Sequence, residues 1–214
     1  MAQPPDTILH ASREEAEAIR RAIRAARRIE TPYGAYHPAG AADAEALHAL
    51  LSDPRVAGPL YTIPKPVDAC WIARWIAAHV AEAARGEGLL MIARDREGAP
   101  SGFVDLQVWP ERASAEFGGG IRADLQSASL GSRGAAALFS WLFETIGIRL
   151  IAMTNALDNI RTARLLAHLG FTRGPDRICI TAEGAPRPSM YWELRRNDWR
   201  SPFDHDPLLS QDPP

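Results

Sequence analysis

The chain has 214 residues, of which 46% are hydrophobic and 23% charged, a balance typical of one globular domain with a substantial core. The formal net charge of −2 argues against a nucleic-acid-binding protein, because such proteins neutralise phosphates with excess positive charge. The two cysteines are far apart and the six histidines lack ligand spacing, so neither a disulfide framework nor a metal site is expected. No basic start with an apolar run and no membrane-length apolar window occurs, so we expect a cytoplasmic protein without a membrane partner.

The amino-terminal part of the chain predicts a helix followed by a short strand. Residues 12–28, SREEAEAIRRAIRAARR, place Ser12 three residues before Glu15, a capping-box pattern, and their acidic residues precede their basic ones. Residues 29–37 are β-compatible and contain or adjoin prolines, which is typical of an edge strand. We therefore expect an N-terminal helical extension over residues 1–28, ahead of the main domain.

Two further helices and a loop are expected next. The leucine spacing in AADAEALHALLSDP predicts a helix that stops at a proline. Residues 56–66 contain three prolines and no periodic pattern, so they are interpreted as a loop of a length that is often functional. Residues 67–85 carry Trp71, Trp75 and Val80 at helical spacing, which predicts an amphipathic helix with these side chains in the core. A ligand platform is the alternative for the two tryptophans.

The middle of the chain has the pattern of a three-stranded β-meander. LLMIARD, SGFVDLQVWP and AEFGGGIRA are separated by turns of hairpin length. Alternation in the second strand predicts an apolar face with Val104 and a polar face with Asp105. A helix, a strand, a helix and two more strands follow, so we expect an α+β fold with a mixed sheet in one domain over residues 29–199. Residues 200–214 are rich in Pro and Asp and are expected to form a flexible tail.

Residues 115–171 carry the clearest chemical signal. Three glycines at residues 118–120 would weaken a strand interior unless another backbone approached closely, and a β-bulge is the alternative explanation. The small residues from Ser127 onward precede a helix, which offers backbone N–H groups and the positive end of the helix dipole to an anion. This stretch predicts a site for a phosphate-bearing ligand.

The same motifs resemble those of the GNAT superfamily of N-acetyltransferases. Residues 126–131, QSASLG, resemble the Q/R-x-x-G-x-G/A loop that binds the acyl-CoA pyrophosphate. Residues 159–162, NIRT, followed by Leu169-Gly170-Phe171, are similar to the family's N-x-x-S and L-G-F. The ending from Tyr191 to Trp199 is similar to the closing strand of the RimJ/RimL branch, which includes the ribosomal-protein N-terminal acetyltransferases. The resemblance implies a three-layer α/β/α fold whose central mixed, mostly antiparallel sheet splays at the cofactor site.

The resemblance also assigns contacts to acetyl-CoA, the implied co-substrate. The pantetheine arm would insert beside the glycine-containing strand, and the pyrophosphate would bind the loop. The family usually has glycine at the position of Ser129, and its more glycine-rich members also have glycine at that of Ser127; serine disfavours positive φ but can donate its hydroxyl to a phosphate. The implied cofactor-binding residues are Gly120, Ile121, Arg122, Gln126, Ser127, Ala128, Ser129, Leu130, Gly131, Ser132, Asn159 and Thr162.

Candidate catalytic groups follow from the chemistry of amine acetylation. An amine must lose a proton before it attacks a thioester, and a carboxylate usually accepts that proton. Glu116 matches the family position of the general base, and the adjoining Phe117 is expected to raise its pKa. A solvent-facing glutamate paired with an arginine is the alternative, and Asp105 is a second candidate base. Thr162 and Tyr191 are equally eligible as the acid that protonates the thiolate.

The cysteines are not expected to act as nucleophiles. Cys70 lies in the tryptophan-rich helix and Cys179 in an Ile-Cys-Ile strand, both patterns typical of a core. Backbone N–H groups of residues 120–122 are expected to stabilise the oxyanion instead.

The sequence thus predicts an N-acyltransferase that moves an acetyl group from acetyl-CoA to a primary amine, either a peptide N-terminus or a small amine, by direct attack. The acceptor groove is expected between the loop at residues 56–66, its flanking helices and the final hairpin near residues 184–189. A homodimer is left open. The alternative is a non-catalytic acyl-CoA-binding or protein-interaction domain with a degenerate pyrophosphate loop.

Overall fold

The computed structural model describes residues 3–203, so residues 204–214 of the expected flexible tail lie outside the described residues. Nine strands occur within this part of the chain. They are β1 (Ile29–Thr31), β2 (Gly34–Pro38), β3 (Gly88–Arg94), β4 (Pro100–Trp109), β5 (Ser114–Ile121), β6 (Leu150–Ala156), β7 (Thr172–Arg173), β8 (Arg177–Ile180) and β9 (Pro186–Arg195). The helices are α1 (Arg13–Ala25), α2 (Ala44–Leu51), α3 (Pro54–Ala57), α4 (Ala69–Arg85), α5 (Ala128–Trp141) and α6 (Ile160–His168), and a π-helical turn (Leu142–Ile146) continues α5.

The strands form one mixed sheet in the order β1-β2-β3-β4-β5-β6-β9-β7, with β8 also paired to β9. The β5–β6 pair is parallel, and the other pairs are antiparallel. Pairing of β5 with β6 ends at Glu116 and Ala152, although β5 continues to Ile121 and β6 to Ala156. The sheet therefore splays at this point, which confirms the predicted fold class.

Helices cover both faces of the sheet. One core cluster joins α1, α5 and α6 to strand residues such as Val104 and Leu106, and a second joins α2, α3 and α4 to Leu90, Ile92 and Phe103. Successive strand residues point to opposite faces, so β3 and β4 contribute to both clusters. The expected polar face of β4 is thus only partly polar, because helices bury Phe103 on it.

The capping patterns in the sequence explain where the long helices begin. Ser12 accepts a hydrogen bond from the backbone N–H of Glu15, whose carboxylate accepts from the N–H of Ser12, so the predicted capping box is present. Asp68 accepts from the backbone N–H of Cys70 and Trp71 at the start of α4, and Gly86 ends that helix with a left-handed φ of 75°. The N-terminal helix packs Ile19 and Ile23 into the main core.

Several local predictions were wrong, each for a geometric reason. The single edge strand expected over residues 29–37 is a hairpin of β1 and β2, and residues 54–57 form a helical turn where a loop was expected from residue 56. Val80 is 51% exposed because His79, one residue earlier, takes the buried position of α4. Cys70 is exposed because it lies on the side of α4 opposite Ile72.

The core assignment of Cys179 agrees with the structure, and that of the two tryptophans agrees in part. Cys179 is buried, as expected, and the two tryptophans Trp71 and Trp75 stack on one another, half-buried against the second cluster. The triple glycine is not a β-bulge, because the β4–β5 register runs unbroken from Gly102 opposite Ile121 to Trp109 opposite Ser114. The glycine at 119 instead allows a close approach: a Cβ there would lie 2.4 Å from the carbonyl oxygen of Phe103.

Candidate active site

The opening between β5 and β6 exposes strand backbone that pairs with no neighbouring strand. The N–H of Arg122 donates to the carbonyl of Ser101, a residue of β4, at 2.8 Å. Backbone groups of successive strand residues point to opposite sides, so those of Ile121 point away from β4, into the opening. The carbonyl of Ile121 accepts a 3.1 Å hydrogen bond from the side chain of Gln126. Of the expected oxyanion donors, Arg122 is therefore already engaged, and Ile121 is the one that faces the opening.

The loop before α5 is organised as a helix cap. Ser127 is the N-cap residue, with φ −91° and ψ 155°, and its side chain accepts from the N–H of Leu130 at 3.3 Å. This extended conformation needs no glycine, so a serine suits the position and satisfies one of the first N–H groups of the helix. The N–H of Gly131 donates to the carbonyl of Ser127, and a Cβ on Gly131 would meet no heavy atom within 4 Å. The space beside Gly131 is therefore open, and a helix N-terminus is a favourable place for a phosphate.

An arginine that the sequence analysis did not select lies across from this loop. Arg161, in the first turn of α6, donates to the side-chain oxygen of Gln126 at 3.0 Å and to its carbonyl at 2.9 Å. The guanidinium of Arg122, by contrast, is held by Asp95 and Asp124, each at 2.8 Å. Arg161 therefore places a positive charge at Gln126, the residue just before the α5 cap. It belongs to the NIRT motif, from which the sequence analysis selected only Asn159 and Thr162.

Asn159 and Thr162 form the N-terminal cap of α6. The side-chain oxygen of Asn159 accepts from the N–H of Thr162 at 3.1 Å. The carbonyl of Asn159 accepts from the side chain of Asn155, which is buried and also accepts from the indole N–H of Trp192 at 2.8 Å. The helix end beside the opening is thus fixed to the closing strand β9 through one buried amide.

Glu116 stands where the β5–β6 pairing ends, on the sheet face opposite α5 and α6. Burial raises its pKa, the nearby Asp105 charge raises it further, and hydrogen bonds from Gln3 and Thr154 oppose the shift. The expected contribution of Phe117 was wrong, because adjacent strand residues face opposite sides and Phe117 packs against Phe139 in the other core. The alternative of a solvated glutamate paired with an arginine is also wrong, because no arginine within residues 3–203 forms an ion pair with it.

Two hydroxyl groups connect Glu116 to the acceptor side. Thr154 donates to the Glu116 carboxylate at 3.3 Å, and the Tyr61 hydroxyl lies 2.8 Å from the Thr154 oxygen. Because the Thr154 hydrogen is used toward Glu116, Tyr61 is the donor in its own bond. Burial raises the pKa of Tyr61 and keeps the phenol neutral. The sequence analysis missed both residues, although Tyr61 lies in the loop at 56–66 that was assigned to the acceptor groove.

Tyr191 and the alternative base are both engaged by neighbours. The Tyr191 hydroxyl donates to Glu193, and the Arg177 guanidinium stacks 3.6 Å from the centroid of its ring. Burial, then the bond to Glu193, raises the Tyr191 pKa. Asp105 accepts a 3.0 Å bond from His79. Glu116 and Tyr191 therefore share one sheet face, whereas Thr162 lies on α6 on the opposite side.

His79 is held between two acceptors. Its Nδ1 donates to the Trp75 carbonyl at 3.0 Å and its Nε2 to Asp105, with Glu82 3.6 Å away. Burial lowers the pKa of His79, but Asp105, the Trp75 carbonyl and Glu82 outweigh it and the net shift is upward. The upward shift favours the doubly protonated ring, which can donate to both acceptors, so His79 of α4 and the partly exposed Asp105 of β4 are arranged as an ion pair.

Neither a metal site nor a membrane span was found in the described part of the chain. Over residues 3–203, no group of three or more His, Cys, Asp or Glu side chains is arranged to hold a metal ion. In the same part of the chain, no helix has the length and apolar character needed to cross a bilayer.

Comparison with solved structures places the fold among acetyltransferases. The chain is similar to a ribosomal-protein-S5-alanine acetyltransferase from Vibrio fischeri, with a TM-score of 0.67 and 14% identity over 81% of this chain and 98% of that one. It is also similar to RimJ from Mycobacterium smegmatis in complex with CoA-disulfide, with a TM-score of 0.64 and 18% identity over 79% of this chain and 86% of that one. A third is RimL, a ribosomal L7/L12 α-N-protein acetyltransferase in complex with CoA, with a TM-score of 0.67 and 14% identity over 79% and 98% of the two chains.

The family itself is shown by the sequence match. The acetyltransferase (GNAT) domain matches residues 36–172, well over half of the chain, and the protein belongs to this family. It is an N-acetyltransferase, and acetyl-CoA is its acyl donor. A comparison with curated proteins gave no significant match.

Proposed function

We propose that this enzyme acetylates a primary amine, a peptide N-terminus or a small amine, with Glu116 as the general base. The observation that carries the proposal is the position of Glu116: a half-buried carboxylate with a raised pKa, at the residue pair where β5 and β6 separate. The donor thioester would lie in that separation, so the carboxylate stands beside the carbon that the amine must attack.

The proposed reaction is a direct transfer within a ternary complex. The acceptor nitrogen gives a proton to Glu116 and forms a bond to the acetyl carbon, and the carbon–sulfur bond then breaks. The N–H of Ile121 faces the opening and is proposed to stabilise the negative charge on the acetyl oxygen. Tyr191 and Thr162 remain the two candidates for protonating the thiolate.

The residues around the α5 loop fit the pyrophosphate of the donor. Ser127 is proposed to hold the loop as its cap, with the first N–H groups of α5 and the Arg161 guanidinium directed to the phosphates. The alternative of a non-catalytic binding domain assumed that serines in place of glycines prevent the loop from binding a pyrophosphate. Ser127 has a negative φ, which serine adopts without strain, so this argument does not apply at Ser127.

The test is acetyl-CoA-dependent thiol release with a panel of free N-terminal peptides and small amines, comparing the wild type with Glu116→Gln. We expect the variant to lose about 10²- to 10⁴-fold in kcat/KM, the usual contribution of a positioned base. The wild-type rate should rise with pH through a pKa above the usual range of a glutamate, and the variant should lack this dependence. Glu97→Gln, in the exposed β3–β4 turn, is the matched control and should behave as the wild type.

Thermal stabilisation by CoA separates binding from catalysis. A ligand at 100 times its Kd stabilises the folded state by about 2.7 kcal/mol. If CoA stabilises the protein but no amine in the panel releases thiol, the amine-acetylating function is contradicted. Full activity of Glu116→Gln would instead contradict the assignment of the base alone.

A further inference from the structure

A short segment of the chain itself lies across the face that carries Glu116. We name residues 3–7 the strap. The N–H of Gln3 donates to the Glu116 carboxylate at 3.1 Å, the N–H of Asp6 to the Tyr191 hydroxyl at 2.9 Å, and the N–H of Thr7 to Glu193 at 2.9 Å. Three backbone N–H groups are thus bound by side chains of β5 and β9 that face one side of the sheet.

Side chains of the strap add to these contacts. The Thr7 hydroxyl donates to the second oxygen of Glu193 at 2.6 Å, and Asp6 forms an ion pair with Arg177, which stacks on Tyr191. Pro5 is buried, whereas Ile8, the next residue beyond the strap, is 59% exposed. The contacts that follow, from Arg149 to the His10 carbonyl and from the Ala11 N–H to the Glu111 carbonyl, involve residues outside β5 and β9.

The strap leaves too little space for an acceptor at the base. The cavity beside Glu116 is bounded by Gln3, Tyr61, Thr154, Arg177 and Cys179 and has a volume of about 10 Å³. That is room for roughly one water molecule. In addition, Gln3 and Thr154 each donate a hydrogen bond to a different oxygen of the Glu116 carboxylate. With the strap in place, the space beside this carboxylate is too small for an acceptor amine.

We propose that the strap is an intramolecular inhibitor: residues 3–7 occupy the surface that binds the acceptor, and the acceptor displaces them before it is acetylated. This inference rests on the proposed function of Glu116. It specifies a surface that binds an extended peptide backbone through its N–H groups, with the strap as its resident occupant. A tethered segment competes at an effective concentration that reaches the millimolar range, so weak contacts suffice for strong inhibition.

The first experiment loosens the strap without changing the surface beneath it. The double variant Asp6→Ala/Thr7→Val removes the ion pair to Arg177 and the hydroxyl bond to Glu193 and keeps every backbone N–H. We expect its kcat/KM for the amine to rise about ten-fold, because each of the two lost contacts contributes a factor of a few. The KM for acetyl-CoA should stay unchanged. Ile8→Ala, at the exposed position next to the strap, is the matched control and should leave the rates unchanged.

A second pair of variants tests the contact at the base alone. Gln3→Pro removes the N–H that binds Glu116, whereas Gln3→Ala keeps it. The proline variant should be activated and the alanine variant should not. Equal rates for Gln3→Pro and Gln3→Ala would overturn the proposal. A fall in kcat/KM for Asp6→Ala/Thr7→Val would also overturn it, because the strap would then be part of the acceptor site.

Peptide binding tests the strap without any turnover. A fluorescent peptide of residues 1–8, with an acetylated N-terminus, should bind the double variant at least about ten times more tightly than the wild type, as measured by anisotropy. Equal affinity, or no binding to either protein, would refute the strap. If the peptide discriminates while no amine releases thiol, the strap stands and the proposed function fails. If thiol is released equally by both proteins, the function stands and the strap fails.

Discussion

Replacing Asn155 with leucine should disconnect β9 from the helix end beside the opening. Asn155 is 4% exposed, and its amide accepts from the Trp192 indole and donates to the carbonyls of Ala156 and Asn159. Leucine has a similar shape but makes none of these bonds. The perturbation is therefore the loss of three hydrogen bonds at one buried position with little change in packed volume.

The free-energy cost depends on which partners are left without a bond. The carbonyl of Ala156 still accepts from the N–H of Asn159 at 3.0 Å, and the carbonyl of Asn159 still accepts from the N–H of Ala163 at 3.1 Å. The indole N–H of Trp192, 6% exposed, loses the acceptor it has in the wild type. A buried donor without an acceptor costs about 1–3 kcal/mol, so we expect a melting temperature lower by about 2–12 °C for a chain of this size.

The assay is a double-mutant cycle with Trp192→Phe, followed by thermal and urea unfolding. The phenylalanine removes the donor, so the double variant leaves no indole without a partner and should be less destabilised than the sum of the single variants, by about 1 kcal/mol. The Asn155→Leu variant should also bind CoA more weakly, because the α6 cap at Asn159 loses its support. Additive effects within about 0.3 kcal/mol would refute the reasoning.

Two further predictions concern stability. Gly134→Ala should destabilise the protein by about 1–3 kcal/mol in urea unfolding, because the new Cβ would lie 2.1 Å from the buried ring of Tyr33. Gly131→Ala, in open space on the same helix, is the control and should be neutral or stabilising. Equal stability of the two variants would contradict this prediction. The raised pKa of His79 means that its bond to Asp105 stabilises the fold fully below the ordinary histidine pKa and less as pH rises through the raised value. Asp105→Asn should therefore lower the melting temperature more at pH 6 than at pH 9, and a larger loss at pH 9 would exclude this coupling.

Most of the fold could be predicted from local patterns in the sequence. Capping residues and helical spacing predicted α1 and α4, and the run of apolar strands predicted the meander. The splay after the meander was expected only from the resemblance to the GNAT superfamily. The misplacement of Phe117 was avoidable, since two adjacent strand residues face opposite sides. The choice of Val80 over His79 as the buried residue was not avoidable. Hydropathy favours valine, and the burial of the histidine depends on partners such as the carboxylate of Asp105, which is distant in sequence.

The contacts that complete the site join residues far apart in the chain. Tyr61 reaches Thr154, Arg161 reaches Gln126, and Gln3 reaches Glu116. None of these pairs shares a helix or a hairpin, so no local periodicity reports them. The strap has no regular secondary structure, and its main contacts are made by backbone N–H groups. Every residue except proline has such a group, so the sequence of the strap does not indicate these contacts.

The splay between β5 and β6 has a mechanical consequence for the sheet. Within the described residues, three register pairs join the half that contains β1 to β5 with the half that contains β6 to β9. Neighbouring antiparallel pairs such as β3–β4 and β6–β9 are joined by seven each. The two halves of the sheet are therefore joined by a short seam, and the core around Phe139 and Leu166 packs against strands on both sides of it. A substitution of Phe139 would therefore act on the opening through Phe117, the β5 residue that it contacts just beyond the last β5–β6 pair.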